Sequence, residues 1–339
     1  MLRALRGLGL TAAIASGASL ALRLLSRELT IRLGARLGRL VHYVCPWRLA
    51  IVHANLRRAG FAATLDCAAY EHLGRALLLT LKPDAPHSTR VADPHALAQL
   101  KADCHAGGVI VCSAHIGTWE AVPAALAQHV PERARRHCTI VYRPLHDAAL
   151  DRWLRRRRES SSGVALVPDD PGSIATLRRA LQRGGVAGLL PDQRPAAGRT
   201  SVPVRSMLGA PCALSIGACA LHASTGCPVW FVALTLSDDR DEDGADGSSR
   251  PAAVLTLTRL AARGACEGGE ALANAYAAAL DAAVRRWPAQ YFWWHDRWSF
   301  RGARPPTTGW WRRPRGRTLV CALLAFSLTA RLFAKGNHM

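Results

Sequence analysis

The sequence predicts an α/β fold: a mostly parallel central sheet flanked by helices, with an N-terminal membrane-anchoring helix. Two observations carry the sheet. Short apolar, β-branched runs alternate with longer helix-like segments from residue 109 onward, the pattern of a sheet covered on both faces. Several of these runs stop at a polar residue or a proline, as at Arg143-Pro144 and Pro191-Asp192-Gln193. A third observation carries the anchor: residues 7–22 are uncharged and lie between Arg6 and Arg23.

That uncharged stretch rises about 24 Å as a helix, short of the roughly 30 Å hydrocarbon core of a bilayer. Beyond it, Leu22, Leu25, Leu29, Leu33, Leu37 and Leu40 recur at helical spacing with arginines between them. The reading is an amphipathic helix running straight on from the apolar one, an uncleaved anchor that spans or dips into one leaflet. Its flanking arginines keep the remainder of the chain on the cytoplasmic side. Residues 50–81 read as two helices around Gly60-Phe61, and residues 93–104 as a third.

The stretch GGVIVCSAHIGTWE, residues 107–120, is the pivot of the chain. Val109-Ile110-Val111-Cys112 is short and apolar enough to be a buried strand. His115 then sits where that strand hands over to a helix, with Glu120 five positions on. A histidine near neutral pKa can take a proton from a hydroxyl, and a carboxylate can fix its tautomer. On one continuous helix the two would point about 140° apart, so they meet only if His115 lies in the turn and Glu120 in the first helical turn. The plainer alternative is that His115 ends a strand while Glu120 complements the helix dipole.

The remaining elements follow in order. A strand at 139–142 ends in Arg143-Pro144, and a helix follows over 147–158. A strand at 163–167 precedes a helix that Ser173 can N-cap and that ends near Arg183. A strand at 186–190 ends in Pro191-Asp192-Gln193. Residues 212–225 read as a small-residue helix and 229–236 as an apolar strand. The acidic stretch DDRDEDGADGSS reads as a solvated hairpin connection to a strand at 254–258. A helix at 270–287 and the aromatic run PAQYFWWHDRWSF close the domain. Residues 318–330 are apolar but short, follow Trp310, Trp311 and several arginines, and read as a second interfacial anchor. The domain reading is an anchor and amphipathic helix over 1–42, an α/β domain over 43–304, and a basic, apolar, membrane-associated extension over 305–339.

Charge placement narrows the partners. The 339-residue chain has a formal charge of +20 and is half hydrophobic. Ten arginines and a single acid, Glu28, fall in the first sixty residues; five arginines fall in 152–158 and six in 301–317. Basic residues beside apolar helices and tryptophans point to an anionic membrane surface. Nucleic acid is the competing partner for such charge, but no RNA- or DNA-binding module signature accompanies it, so the expected partner is membrane and not nucleic acid. The ten cysteines include no C-x-x-C and no Cys/His group with zinc spacing. A reduced cytosolic compartment and no bound metal are the simplest expectations.

Four polar groups are placed at strand ends or in the closing run: His115, Arg143, Asp192 with Gln193, and His295-Asp296-Arg297. Three of them follow candidate parallel strands and so converge on one sheet edge, where open α/β sheets place chemistry. Each has a bland counterpart: Arg143 as an ordinary strand terminus, Asp192 as a turn former, His295 as a satisfied histidine among aromatics.

At these residues the chain resembles the bacterial lipid A late acyltransferases, the lauroyl/myristoyl transferases within the broader lysophospholipid and glycerolipid acyltransferase superfamily. AHIGTWE, VYRPLHDAALDRWLRRRRESSSG, GGVAGLLPDQRPAAG, the segment from Gly209 to Val229, and PAQYFWWHDRW come in the family's order and at about its spacing. The resemblance covers about residues 15–300. It implies a glycerolipid-acyltransferase-like fold, a His-x4-Glu motif at His115 and Glu120, an arginine at Arg143 and the Asp-Gln pair at Asp192 and Gln193. It also implies transfer of a fatty acyl chain, usually from acyl carrier protein, to a hydroxyl of a phosphorylated glycolipid at the cytoplasmic face of the inner membrane, with no cofactor. Arg143, or backbone N–H groups at the helix start after Gly117, would hold the oxyanion or an acceptor phosphate, and Asp192 would position Arg143 or the acceptor. Thr118 stands where many members carry Asn, SVPVRSMLGAP lacks the family's Phe-Phe-Gly, and the extension after residue 304 is not typical. Acylation of another lipid (a phosphatidylinositol mannoside, an aminolipid or a lysophospholipid) and a non-catalytic membrane-surface role are the alternative readings.

Overall fold

The computed structural model describes residues 9–46, 48–82, 89–195, 198–237, 253–265 and 268–298. The predicted extension over 305–339 with its second anchor, and the acidic stretch after residue 237, lie outside the described residues. A seven-stranded sheet forms the centre, with strands β1 (Thr89–Val91), β2 (Val109–Cys112), β3 (Thr139–Tyr142), β4 (Ala165–Pro168), β5 (Val186–Leu189), β8 (Val229–Leu236) and β9 (Ala253–Ala261). Their spatial order is β1-β9-β8-β2-β5-β3-β4. Strands β8, β2, β5, β3 and β4 run parallel, and β9 returns antiparallel to β8. The α/β prediction is met, with the hairpin partner β9 as the departure from a purely parallel sheet.

The strands are buried on both faces because their side chains alternate between two cores. Ile110 and Cys112 enter one core while Val109 and Val111 enter the other; Phe231 and Ala233 alternate with Trp230, Val232 and Leu234 in the same way. The first core is covered by helices α3 (Leu49–Arg58), α4 (Asp66–Leu81), α9 (Ser173–Gln182), α10 (Gly217–Thr225) and α11 (Gly269–Arg286). The second is covered by α5 (Pro94–Ala106), α6 (Val122–Ala127) and α7 (Glu132–Arg136).

Three local expectations are corrected. Ser173 is the first residue of α9 and not its side-chain cap; the Asp170 carboxylate accepts the Gly172 N–H at 2.8 Å in the preceding turn instead. Residues 212–225 are not one helix. Strand β7 (Ala210–Ser215) pairs antiparallel with β6 (Ser201–Met207) through a turn at Leu208 and Gly209, both at positive φ, and only then does α10 begin. That hairpin carries no Asn-Gly or Asp-Gly signal, which is why the pattern concealed it.

The third correction concerns the N-terminus, which is two helices and not one continuous rod. Helix α1 (Leu10–Arg23) ends before Ser26, whose hydroxyl accepts from Leu29 N and caps α2 (Arg27–Val44). No helix among the described residues is long and apolar enough to cross a membrane. Helix α1 lies on the body: Ala15 and Leu22 pack with Leu77, Leu78 and Leu81 of α4 and with Leu150 of α8 (Ala148–Ser162). The Lys82 ammonium donates to the Leu22 and Leu25 carbonyls at 2.8 Å, satisfying groups the helix end leaves open. The Thr11 hydroxyl bonds the Asp147 carboxylate at the other end.

In α2 the buried stripe is Thr30, Gly34, Gly38 and Val41, whereas Leu29, Leu33 and Leu40 of the predicted leucine stripe face outward. The exposed large apolar side chains among the described residues all fall between Leu10 and Val44, with Leu24 at 88% and Tyr43 at 72%. Arg32, Arg36 and Arg39 are exposed on α2 among them.

Candidate active site

Strands β2 and β5 are parallel neighbours in a register that sets Cys112 beside Leu189. Three residues past each lie His115 and Asp192, so equal offsets from one register bring imidazole and carboxylate together. His115 Nδ1 lies 2.8 Å from Asp192 Oδ1, and the His115 backbone N–H donates to Asp192 Oδ2 at 3.1 Å. The Tyr291 hydroxyl reaches the same Oδ2 at 3.5 Å. Asp192 is 2% exposed. Burial pushes its pKa up, but the His115 imidazole and the Arg297 guanidinium outweigh burial and hold it below the usual carboxylate range. An ionised Asp192 accepts the Nδ1 proton, which leaves the Nε2 lone pair of His115 outward as an acceptor. The Gln193 amide nitrogen stands 3.4 Å from that Nε2.

The aromatic closing segment supports this pair from one side. Phe292 N–H donates to His115 O at 2.9 Å, and the His115 ring lies 5.5 Å from Trp119 and 6.0 Å from Phe292 between centroids. Asn55 of α3 holds the carbonyls of Trp293 and His295 at 2.7 and 2.9 Å. His295 Nε2 accepts from Arg194 N–H at 3.0 Å, and burial, then nearby Arg297, push its pKa down to about 3, so it is neutral and structural. Of the triplet 295–297, Arg297 is the cation that acts on Asp192. It is buried, donates to Ala213 O at 3.4 Å, and carries Nε and Nη1 without partners among the described residues.

Glu120 occupies a different role from the one its spacing suggests. Arg158 of α8 grips it in a bidentate pair, Nε to Oε2 at 2.7 Å and Nη2 to Oε1 at 2.6 Å. Burial raises the Glu120 pKa, yet Arg158 and, more weakly, His115 leave it below the ordinary value. The carboxylate hydrogen-bonded to the His115 ring is therefore Asp192, and Glu120 acts on the imidazole through its charge. Glu120 lies in a short 3-10 turn, Trp119–Ala121, that leads into α6.

Gly117 is a pivot of the loop and not an oxyanion donor. Its φ is +62°, and a Cβ there would sit 2.0 Å from the Leu234 carbonyl oxygen. Its N–H donates to Gln290 O at 2.9 Å, and the next N–H, of Thr118, donates to Leu234 O at 2.7 Å. Its carbonyl accepts from His72 Nε2 of α4 at 3.1 Å. Burial lowers the His72 pKa to about 4, so this histidine is also neutral.

Arg143 does follow β3 at the same sheet edge, but its partner is Asp169, at 3.7 Å, and not Asp192. Asp169 also receives Arg199 at 2.7 Å. The expected convergence thus holds for His115, Asp192 and Gln193, with Arg143 engaged one strand further out. Among the described residues no group of three or more His, Cys, Asp or Glu side chains is placed to hold a metal ion.

A groove of about 1360 Å³ opens beside this site. Thr118, Glu120, Ala121 and Ala124 form one end, and the walls come from α1, α4 and α8. Leu20, Ala76, Leu79, Trp153 and Leu154 give it apolar surface. Sequence reasoning missed Arg158, hidden within a run of four consecutive arginines, and Tyr291, which nothing in its local pattern distinguishes from its aromatic neighbours.

A family model of bacterial lipid A biosynthesis acyltransferases matches residues 67–299, more than half of the chain. No curated protein matches the chain. The matched span takes in His115, Glu120, Asp192 and their partners and leaves α1 to α3 outside it.

Proposed function

From a chain that belongs to the bacterial lipid A biosynthesis acyltransferase family, and is thus an acyltransferase acting on a lipid A-like acceptor, we propose that His115, oriented by Asp192, is the general base that activates the acceptor hydroxyl. The observation that carries this reading is the 2.8 Å contact between His115 Nδ1 and a buried, ionised Asp192, with the opposite ring nitrogen, Nε2, beside the Gln193 amide. In the reaction Nε2 takes the hydroxyl proton as the acceptor oxygen attacks the carbonyl carbon of an acyl thioester. The tetrahedral intermediate collapses, the C–S bond breaks, and the imidazolium returns its proton to the departing thiolate. Asp192 stabilises the imidazolium during that interval, as the carboxylate does in hydrolase triads.

The Gln193 amide, beside Nε2, is suited to donate to the oxyanion, an interaction typically worth about 10²–10³ in rate. Arg158 and Glu120 shape the groove end next to the loop. Acyl carrier protein is the proposed donor, and the basic surface suits that acidic partner. The proposed location is the cytoplasmic face of the inner membrane, with the outward leucines of α1 and α2 and their arginines meeting the lipid.

The test is acyl transfer by detergent-solubilised protein from an acyl carrier protein thioester to a Kdo-bearing lipid A precursor. His115→Ala and Asp192→Asn are expected to lose at least about a hundredfold in kcat, the second because the wrong tautomer is favoured. Glu120→Gln is expected to lower thermal stability more than kcat, because it strands Arg158. Unchanged turnover in Asp192→Asn would overturn the base assignment.

A further inference from the structure

The five arginines between 152 and 158 form one basic run in the sequence, but the fold gives them unequal work. Arg155 pairs with Glu159 at 2.9 Å, and Arg157 caps the end of α4 by donating to the Thr80 and Lys82 carbonyls. Arg158 holds Glu120. The remaining two, Arg152 and Arg156, have no hydrogen-bond or ion-pair partner among the described residues; both are exposed and both line the groove. Spaced i, i+4 on α8, they project from one face of the helix as neighbours.

We propose that Arg152 and Arg156 are the recognition site for a phosphate group of the acceptor glycolipid. The proposal rests on the acyltransferase reading and adds a contact outside the reacting centre. Two guanidinium forks one helical turn apart match the oxygens of a phosphate better than a single carboxylate. The acidic side chain in the groove lining, Glu120, is already taken by Arg158, so nothing in the lining competes for the pair. The same groove is also lined by apolar Leu20, Ala76, Leu79 and Leu154, so the fitting occupant is an amphiphile with an anionic head and not a free ion. The opposite wall is α1, and its Leu20 is both groove lining and 64% exposed. The groove therefore opens beside the apolar outer surface of α1 and α2, the side from which a lipid would enter.

The experiment compares wild type, Arg152→Ala/Arg156→Ala and Arg152→Lys/Arg156→Lys with a phosphorylated lipid A precursor and the same glycolipid after phosphatase treatment. The alanine variant is expected to raise KM for the phosphorylated acceptor about 10- to 100-fold, the range for lost charge-assisted contacts. It should also erase the preference over the dephosphorylated acceptor, leave KM for the thioester donor and the Tm unchanged, and be partly rescued in the lysine variant. In parallel, equilibrium binding of both glycolipids in detergent micelles to His115→Ala, with and without the arginine pair, reports the site in the absence of turnover. Failure of the catalytic assignment would thus leave this measurement standing. An unchanged KM for the phosphorylated acceptor would overturn the proposal. So would a KM rise confined to the donor, which would assign the pair to the phosphopantetheine arm. Binding indifferent to the glycolipid phosphate, or abolished equally by millimolar inorganic phosphate in the arginine variant and wild type, would overturn it as well.

Discussion

At the scale of single residues, the site turns on which carboxylate meets His115. Sequence distance favours Glu120, five positions away, over Asp192, which is seventy-seven away. The fold reverses this because β5 lies against β2, so Asp192 arrives at His115 while Glu120 turns toward Arg158. Both carboxylates were legible as site residues; their assignment was not, since strand order in a sheet is not written in local spacing. Buried neutral histidines set a second residue-scale consequence. The folded pKa of His72 is about 4 against an ordinary 6.5, so between those values the unfolded chain binds the proton and the native one does not. Its contribution is complete above pH 6.5, declines as pH falls, and levels off below about 4. The full span is on the order of 3 kcal/mol. His72→Gln, which retains an N–H for Gly117, is expected to flatten denaturant-measured stability between pH 6.5 and 4, with His295 supplying the residual slope. A slope equal to that of wild type would show that His72 stays solvated.

At the scale of elements, the central strands were legible because each is short, apolar and β-branched between turn residues. Less legible were elements whose partners lie elsewhere. Strand β1 spans three residues and exists by pairing with β9. The β6–β7 hairpin is small-residue backbone that packs on α11, and its turn carries a leucine at positive φ. Helix α2 was legible as an amphipathic helix, but the stripe that touches protein (Thr30, Gly34, Gly38 and Val41) was not, since leucine periodicity marks only the other face. The reason is the crossing with α4: Gly34 and Gly38 face Gly74, and a Cβ on Gly38 would lie 2.0 Å from the Tyr70 carbonyl oxygen. Glycine, not leucine, permits that approach. Gly38→Ala is expected to cost about 1–3 kcal/mol through overpacking. Gly17→Ala in α1, where nothing lies within 4 Å, should be neutral or stabilise by about 0.5–1 kcal/mol. Thermal melts of the two variants check this contrast, and equal Tm values would contradict the crossing geometry.

For the whole molecule, charge and hydropathy converge on one surface. The leucines of α1 and α2 that face outward are interleaved with exposed arginines, and α1 is held to the body at both ends by Thr11 and Lys82. The sequence pointed to an anchor that spans or dips; among the described residues no helix is long and apolar enough to cross a membrane, and α1 packs on the body. Co-sedimentation is expected to show binding to vesicles rich in anionic lipid, weaker binding to zwitterionic ones, and weakening with salt. Leu29→Glu/Leu33→Glu should reduce binding at least about tenfold while leaving the fold intact, because both side chains are exposed. Equal retention of the variant would move the contact elsewhere on the chain.

The crossing of α2 over α4 has a structural consequence. At Gly34, Gly38 and Gly74 backbone rests on backbone, and beside that contact His42 packs on Tyr70 and Arg39 pairs with Glu71. Two positions before Gly74, α4 carries His72, which grips the Gly117 carbonyl in the loop that bears His115. One continuous line of packed backbone and hydrogen bonds thus joins the outer helix, through α4, to the loop that bears the imidazole.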